Sequence, residues 1–328
     1  MKLHRRKFLA MATAIPATLA MPGIVRAQSW KPNRVVTFLS PFAAGGTFDV
    51  TERALARAAE PIIGQTITVV NRAGAAGTVA LGELARAKPD GLTLGLMSVS
   101  NNAVAPQMVD LSFDPVSDFT PLVTYASFLS FLIVKSDSPL GSYKDWIDFA
   151  RKQPKKLTVG ISTLGSNSHL LMARLAAEEG VELSFVPFGG GAPALTAVLG
   201  GHVMCALLSG EALAPQREGT IRMLAVLNKD KVEEFPDVPN MADLGFKWAS
   251  LPWVGMGAPK GLPEEITKRW SEVLLEATYD KAFLQALSNL AFVPTRMGPA
   301  DMGKMMSESL AEHEKIVKSL GLGRFASK

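Results

Sequence analysis

Short apolar runs alternate with segments of helical periodicity along the first third of the chain. The runs at 34–40, 66–70 and 92–99 have the length and side-chain bulk of buried strands, and helical patterns at 47–60 and 79–87 separate them. In the first helical pattern the apolar residues share one side, opposite the charged ones. This alternation of strands and helices predicts a parallel sheet covered by helices on both faces.

The same alternation starts again after Leu129 and predicts a second α/β unit without internal sequence repetition. Its predicted strands and helices follow one another at the spacing of the first unit, at 131–135, 142–153, 158–162, 168–179, 183–187, 192–199, 203–209 and 220–226.

Two segments, 125–135 and 247–258, predict chain crossings between the two units. Helices expected after Pro263 and over 301–320 then pack back on the first unit, with the methionines at 302, 305 and 306 as core residues rather than a metal or cofactor site. We therefore predict two doubly wound α/β lobes joined by two crossover strands. Lobe 1 comprises 28–128 and 251–328, lobe 2 comprises 129–250, and the paired crossings form a hinge that closes a cleft.

The first 27 residues have the pattern of an export signal. Arg5 and Arg6 precede an uncharged stretch from Phe8 to Ile24, and a small-x-small sequence ends at Ala27. The paired arginines favour a twin-arginine signal, and an ordinary secretory signal that happens to hold two arginines is the alternative. Either signal predicts a soluble, exported protein in the periplasm.

Composition excludes several function classes for the mature chain. The full chain has 34 basic and 30 acidic residues, and loss of 1–27 removes five basic residues and no acidic ones. The remaining chain is close to neutral, which argues against a nucleic-acid partner. The single cysteine, Cys205, lies in an apolar run and cannot form an intramolecular disulfide.

Catalytic and metal-binding patterns are not found in the sequence. His169, His202 and His313 lack zinc-type spacing with Cys, His or Glu, and no G-x-S-x-G elbow occurs. We predict no enzyme activity, no metal and no cofactor.

The first candidate binding loop follows the first predicted strand and opens a helix. It contains Phe42, Gly45, Gly46, Thr47 and Asp49. The glycines allow a tight turn, Thr47 offers a hydroxyl group, and free N–H groups at a helix start favour an anion. A plain strand–turn–helix connection is the alternative interpretation.

A second loop, in the second unit, again joins a strand to a helix and is rich in hydroxyl groups. Its candidate ligand-binding residues are Thr163, Ser166, Asn167, Ser168 and His169. They exceed what capping one helix requires, although a polar loop with one capping serine is the alternative. Ligands of α/β sheets sit at the carboxyl ends of the strands, where both loops are expected. A third loop, 188–193, offers further backbone donors or a simple connection.

Several short motifs, in order along nearly the whole mature chain, resemble those of the tripartite tricarboxylate transporter solute receptors, also called the Bug family. They are Pro41-Phe42-Ala43-Ala44-Gly45-Gly46-Thr47, Val70-Asn71-Arg72, Lys88-Pro89-Asp90-Gly91, Phe113-Asp114-Pro115-Val116, Gly165-Ser166-Asn167-Ser168-His169 and Phe235-Pro236-Asp237-Val238-Pro239. The resemblance implies a type II periplasmic binding protein with Venus-flytrap closure. It also implies a small carboxylate ligand, a dicarboxylate or an aromatic carboxylate, held between the first loop and the serine-rich loop.

Two positions depart from the family pattern. Gly189 stands where a lysine is common, and Ser209-Gly210 stands where many members have Asp-Asn. We therefore expect a less charged distal pocket that favours a larger or more apolar carboxylate. Phe42, Phe48 and Phe188 are the expected walls, and Ser209 completes the predicted ligand-binding set.

The resulting functional hypothesis is a monomeric periplasmic receptor that delivers a small carboxylate to membrane permease subunits. Two alternatives remain open: a partner that presents the ligand to a periplasmic sensor, and a periplasmic hydrolase or lyase on the same fold.

Overall fold

The computed structural model describes residues 30–229, 231–250 and 252–326. The predicted export signal, 1–27, lies outside the described residues. None of the described helices is long and apolar enough to cross a membrane.

Six of the strands belong to the first lobe. They are β1 (Val36–Ser40), β2 (Ile67–Asn71), β3 (Thr93–Ser98), β4 (Phe119–Phe128), β10 (Trp253–Pro259) and β11 (Phe292–Met297). They form one sheet in the order β11-β4-β10-β3-β1-β2. β1 pairs in parallel with β2 and β3, whereas β10 runs antiparallel to β3 and β4, and β11 runs antiparallel to β4.

The second lobe is built on the strands between the two chain crossings. They are β5 (Phe131–Lys135), β6 (Thr158–Ile161), β7 (Ser184–Pro187), β8 (Cys205–Leu208) and β9 (Ile221–Val226). Their order in the sheet is β7-β6-β8-β5-β9. β6 pairs in parallel with β7 and β8, and β5 is antiparallel to β8 and β9. The predicted two-lobed α/β class is confirmed, but both sheets are mixed, because a crossing strand in each sheet, β10 in the first and β5 in the second, runs antiparallel to its neighbours.

Ten α-helices cover the sheets in the described residues. They are α1 (Thr47–Ile63), α2 (Thr78–Ala85), α3 (Ala105–Met108), α4 (Tyr143–Lys152), α5 (Asn167–Glu179), α6 (Gly191–Leu199), α7 (Leu213–Arg217), α8 (Glu264–Ala277), α9 (Lys281–Asn289) and α10 (Pro299–Ser319). Side chains of Ser142, Ser166 and Asp280 accept hydrogen bonds from N–H groups in the first turns of α4, α5 and α9, which fixes where these helices begin.

The C-terminal region contains more elements than the sequence pattern predicts. We expect two helices after Pro263, whereas the structure has α8, α9, β11 and α10. β11 was missed because only Phe292 of its residues is buried and it pairs along only one edge, with β4. The predicted core role of Met302 and Met306 is confirmed, since both side chains are fully buried in the first lobe's core.

The core of each lobe matches the division into sheets. The first lobe has one core, which combines residues from before the second lobe, such as Phe38, with residues from after it, such as Trp270. The second lobe has apolar clusters on both faces of its sheet, one around Trp146 and one around Phe131. We retain 28–128, 129–250 and 251–328 as the proposed division of the chain.

Candidate functional site

A cavity of about 530 Å³ lies between the lobes, where α1, α5 and α6 begin. Strands precede all three helices, so the cavity sits at the carboxyl ends of strands from both sheets, as is usual for ligand sites in α/β folds. Its walls combine apolar and hydroxyl-bearing side chains. The lining residues are Phe42, Ala43, Ala44, Gly46, Thr47, Phe48, Ser100, Phe128, Ser130, Ser162, Asn167, Ser168, Gly190, Gly191, Ala192, Pro193, Thr196, Leu207, Leu208, Ser209 and Glu211.

The loop from β1 to α1 forms the first-lobe wall. Gly45 adopts a positive φ of 76°, which turns the chain so that Gly46 and Thr47 reach the cavity. The rings of Phe42 and Phe48 lie 4.7 Å apart and form an apolar surface beside them. Thr47 is 2% exposed, and its Oγ1 has no hydrogen-bond partner within the described part of the chain. An unpaired buried hydroxyl group is costly, so a cavity-lining one is a natural contact for a polar ligand.

Asp49 and Gly45, both predicted as ligand contacts, lie outside the cavity lining. The Asp49 carboxyl group points back into the loop, where it accepts hydrogen bonds from Gly45 N–H (2.9 Å) and Asn71 Nδ2 (2.8 Å) and pairs with Arg53 (2.9 Å). Burial alone raises the pKa of Asp49, but the hydrogen bonds from Arg53, Gly45 and Asn71 outweigh it and hold the pKa below its usual range. The ionised Asp49 side chain therefore stabilises the conformation of the loop and does not contact the cavity.

The serine-rich loop from β6 to α5 forms the facing wall, and only part of it reaches the cavity. Ser168 Oγ lies 3.0 Å from Ser162 Oγ and 2.9 Å from Ser166 Oγ, and it accepts a hydrogen bond from Ser162 N–H at 3.1 Å. Asn167 also lines the cavity, and its N–H donates to Ser100 Oγ of the first lobe at 3.2 Å. Hydroxyl groups and a helix start thus converge on the cavity.

Three predicted residues of this loop do not line the cavity. Ser166 is used as the helix cap, and Thr163 donates its hydroxyl group to Leu164 O at 3.0 Å. His169 turns away, because its Nδ1 accepts a hydrogen bond from Gly165 N–H at 3.2 Å and its ring packs edge-on against Phe185. Burial lowers the pKa of His169, which is consistent with a neutral packing residue.

The third wall comes from the loop before α6 and the segment after β8. Gly190, Gly191 and Ser209 line the cavity. Phe188, a predicted wall, does not; it packs in the cluster on one face of the second sheet, next to Gly160 of β6. The apolar side is formed by Phe42, Phe48, Phe128, Leu207 and Leu208.

The expectation of a less charged distal pocket did not include one carboxyl group that the structure places there. Glu211 lines the cavity, and it is the only ionisable side chain that does so among residues 30–229, 231–250 and 252–326. Glu211 directly follows Ser209-Gly210, the position that departs from the family pattern. After β8 the chain turns into a short 3₁₀ helix, Gly210–Ala212, and this turn directs the Glu211 side chain back into the cleft.

Other lining residues had weaker sequence signals. Ser130 lies at the first chain crossing. Because residues at a hinge are close to the cleft, its place in the crossing could have identified it as a cavity residue. Ser100 lies in a π-helical turn, Ser100–Val104, which no pattern in the sequence predicts.

A second cavity, of about 460 Å³, lies behind the crossings, between α5 and α10. Arg174, Lys231 and His313 line it, and of the predicted ligand residues in the described chain it contains Asn167 alone. The cavity at the helix starts is therefore the candidate ligand site.

Comparison with known proteins identifies relatives over nearly the full length. Residues 51–322 match the family model described as tripartite tricarboxylate transporter family receptor. A UPF0065 protein in the gbd 5′ region of Cupriavidus necator is 30% identical, covering 98% of this chain and 99% of its own. Protein BugT of Bordetella pertussis is 29% identical, covering 97% of this chain and 99% of its own.

Three solved structures share the fold and about the same level of identity. The periplasmic binding protein BugD superposes with a TM-score of 0.84 at 28% identity, covering 89% of this chain and 99% of its own. A Rhodopseudomonas palustris protein with adipate has a TM-score of 0.84 at 29% identity, with coverage of 89% and 99%. MatC from the same organism, with bound malate, has a TM-score of 0.83 at 27% identity, with coverage of 87% and 99%. The predicted periplasmic binding protein fold is confirmed.

Proposed function

This chain belongs to the tripartite tricarboxylate transporter receptor family, whose members are solute-binding receptors, and we propose that it captures a small carboxylate-bearing ligand in its interlobe cleft. It then delivers the ligand to a membrane transporter of the tripartite type. The ligand carboxylate contacts the start of α5 and the hydroxyl groups around Ser168, and Thr47 contacts the ligand from the other lobe.

One observation carries this proposal. Thr47, whose buried hydroxyl group lacks a partner among the described residues, lines the same cavity as Ser168 of the opposite lobe. A ligand that bonds to both links the lobes and stabilises closure. Two similar proteins have been solved with small carboxylates, malate and adipate, which supports the same ligand class here.

Thermal unfolding in the presence of a panel of small acids tests the binding role. The panel contains monocarboxylates, dicarboxylates, aromatic carboxylates and amino acids. An acid at about 100 times its dissociation constant is expected to stabilise the protein by about 2.7 kcal/mol. Thr47→Val, which removes the hydroxyl group and keeps the shape, and Ser168→Ala should reduce this shift.

Matched substitutions outside the cleft serve as controls. Thr68→Val at an exposed position of β2 and Ser307→Ala at an exposed position of α10 should leave the shift unchanged. If no acid stabilises the protein, or if the cleft variants respond as the controls do, the proposed carboxylate site is wrong.

Delivery to a transporter requires a separate experiment in cells. With residues 1–27 as an export signal, the receptor acts in the periplasm as a monomer and has no enzymatic role.

Deletion of its gene should abolish uptake of the radiolabelled ligand, and the wild-type chain should restore uptake better than the Thr47→Val variant does. Normal uptake combined with loss of a transcriptional response to the ligand would instead identify a sensor partner.

A further inference from the structure

The carboxyl group of Glu211 occupies the position between two helix starts in the candidate site. Its Oε1 accepts a hydrogen bond from Thr47 N–H of α1 at 3.4 Å, and its Oε2 accepts one from Ser209 N–H at 3.2 Å. A β-carbon added to Gly191, the first residue of α6, would lie 2.7 Å from the Glu211 carboxyl carbon. The carboxyl group therefore fills the space in front of α6 and also contacts the start of α1.

A helix start is a favourable place for an anion, because its N–H groups and its dipole both point at the ligand. Here the chain supplies that anion itself. Glu211 lies in the second lobe and Thr47 in the first, so the hydrogen bond between them also crosses the cleft. No lysine, arginine or histidine lines the cavity among the residues that the structure describes, so no cation is present to balance a second negative charge beside Glu211.

The part of the cavity lining at the start of α5 has different chemistry. Hydroxyl groups of Ser162, Ser168 and Ser100 lie there, at the start of α5, and no side-chain carboxyl group from the described residues accompanies them. The N–H group of Thr47 donates to Glu211, and Thr47 Oγ1, buried and unpartnered in the described chain, has both donor and acceptor capacity. The cavity lining thus combines hydroxyl groups and a helix start, which suit a carboxylate, with the Glu211 carboxyl group, which suits a hydrogen-bond donor.

We propose that Glu211 takes the place of a ligand's second carboxylate, so that this receptor selects monocarboxylates whose far end carries a hydroxyl, amide or ammonium group. The inference rests on the proposed carboxylate-binding function and narrows its substrate class. A dicarboxylate would bring a second negative charge against Glu211 at short range, where repulsion is strong and poorly screened. A donor at the same position would pair with the Glu211 carboxyl group instead.

Calorimetric titration with ligands of matched length tests this inference. The probes are succinate, 4-hydroxybutyrate and 4-aminobutyrate, and their six-carbon counterparts adipate, 6-hydroxyhexanoate and 6-aminohexanoate. The wild-type protein should bind a monocarboxylate of one length at least about tenfold more tightly than the dicarboxylate of that length, which corresponds to about 1.4 kcal/mol. Glu211→Gln keeps the shape and removes the charge, so it should reduce or reverse this preference. Glu211→Ala provides a second variant, and Glu218→Gln, on the exposed segment after α7, is the matched control.

The possible outcomes separate this inference from the proposed function. Equal binding of the mono- and dicarboxylate by the wild-type protein, or a preference that both Glu211 variants retain, would overturn the role of Glu211 and leave carboxylate binding in place. Binding of none of these probes and of no acid in the wider panel would overturn both proposals. A preference lost in both Glu211 variants and kept in Glu218→Gln would support the inference.

Discussion

The side-chain oxygen of Asn228 accepts a 2.7 Å hydrogen bond from the backbone N–H of Ser130, and this bond joins the first chain crossing to the segment after β9. The Nδ2 group of the same side chain donates to Phe128 O at 3.1 Å and to Ser250 O at 3.3 Å. Asn228 is buried, and Ser130 also lines the candidate ligand cavity. One amide therefore connects the hinge to the cavity.

Replacement of Asn228 by alanine should destabilise the protein and loosen the hinge. The substitution leaves a buried N–H and two buried carbonyl groups without their partner, so we expect a loss of about 2 kcal/mol of unfolding free energy. Urea denaturation measures this loss. Asn289→Ala at the exposed end of α9 is the control and should cost less than about 0.5 kcal/mol. A loss no larger than that of the control would show that Asn228 does not hold the crossings together.

Substitution of Gly210 by alanine should hold the lobes apart. A β-carbon on Gly210, in the second lobe, would collide with the backbone of Leu290, in the first lobe. Each lobe can keep its own core, so the clash is relieved by opening the cleft. We expect a larger radius of gyration in X-ray scattering and about tenfold weaker carboxylate binding, because the closed state becomes rarer.

The control for Gly210→Ala is Gly82→Ala in α2, where an added β-carbon makes only ordinary van der Waals contacts, the nearest at 3.5 Å. It should bind ligand as the wild type does. If Gly210→Ala binds and scatters as the control does, closure does not bring Gly210 against Leu290.

The architecture could be predicted from the sequence because strong local patterns define it. Three elements begin within about two residues of their predicted starts: the buried strands β1 and β3 and the amphipathic helix α1. The C-terminal end of α1 extends beyond its predicted end. Both sheets nevertheless contain antiparallel strands, because strand direction depends on chain crossings that no local pattern specifies. The sequence pattern also missed β11, because this strand is defined by its pairing with β4 and not by an alternation of its own. The helix before it, α9, was missed as well.

The candidate site was predictable at the level of loops and less so at the level of side chains. Both predicted loops reach the cavity, at Thr47 and at Ser168. Asp49 and His169 did not, because each satisfies its own polar atoms inside its loop. Glu211 was missed because its position in the cleft arises from a tertiary turn after β8, and its charge is the feature that most changes the expected ligand.

The thiol group of Cys205 should be unreactive in the folded protein. It is fully buried in β8, and burial raises its pKa to about 12, although Trp146 Nε1 donates to its Sγ at 3.3 Å. Only the thiolate attacks an aromatic disulfide reagent, so labelling at about pH 8 should be at least about a thousandfold slower than for the unfolded chain. Cys205 is the sole cysteine in the chain, which makes the absorbance change unambiguous. Rapid labelling without denaturant would mean that the second lobe opens locally around β8.

A second buried ionisable group, Glu52, lies on the buried side of α1 in the first lobe. Its side chain is fully buried, and neither carboxyl oxygen has a hydrogen-bond partner among the described residues. Burial raises the pKa of Glu52 to about 8, and the charge of Asp49 adds to the rise while that of Arg53 opposes it. Tyr125 of β4 and Ser40 of β1 are its other polar neighbours. At neutral pH the folded protein therefore keeps this carboxyl group protonated.

The raised pKa of Glu52 should make the protein less stable as the pH rises. The unfolded chain loses this proton near pH 4.5, whereas the folded protein keeps it until about pH 8. Between these values the folded state binds more protons, so the unfolding free energy falls with pH by up to about 1.4 kcal/mol per unit from this group. Glu52→Gln removes the titration, so between about pH 5.5 and about pH 7.5 the variant should gain roughly 2–3 kcal/mol relative to the wild type. Urea denaturation across this range measures the difference, with Glu272→Gln on the exposed side of α8 as control. Parallel stability profiles for wild type and Glu52→Gln would show that the carboxyl group ionises in the folded protein with an ordinary pKa.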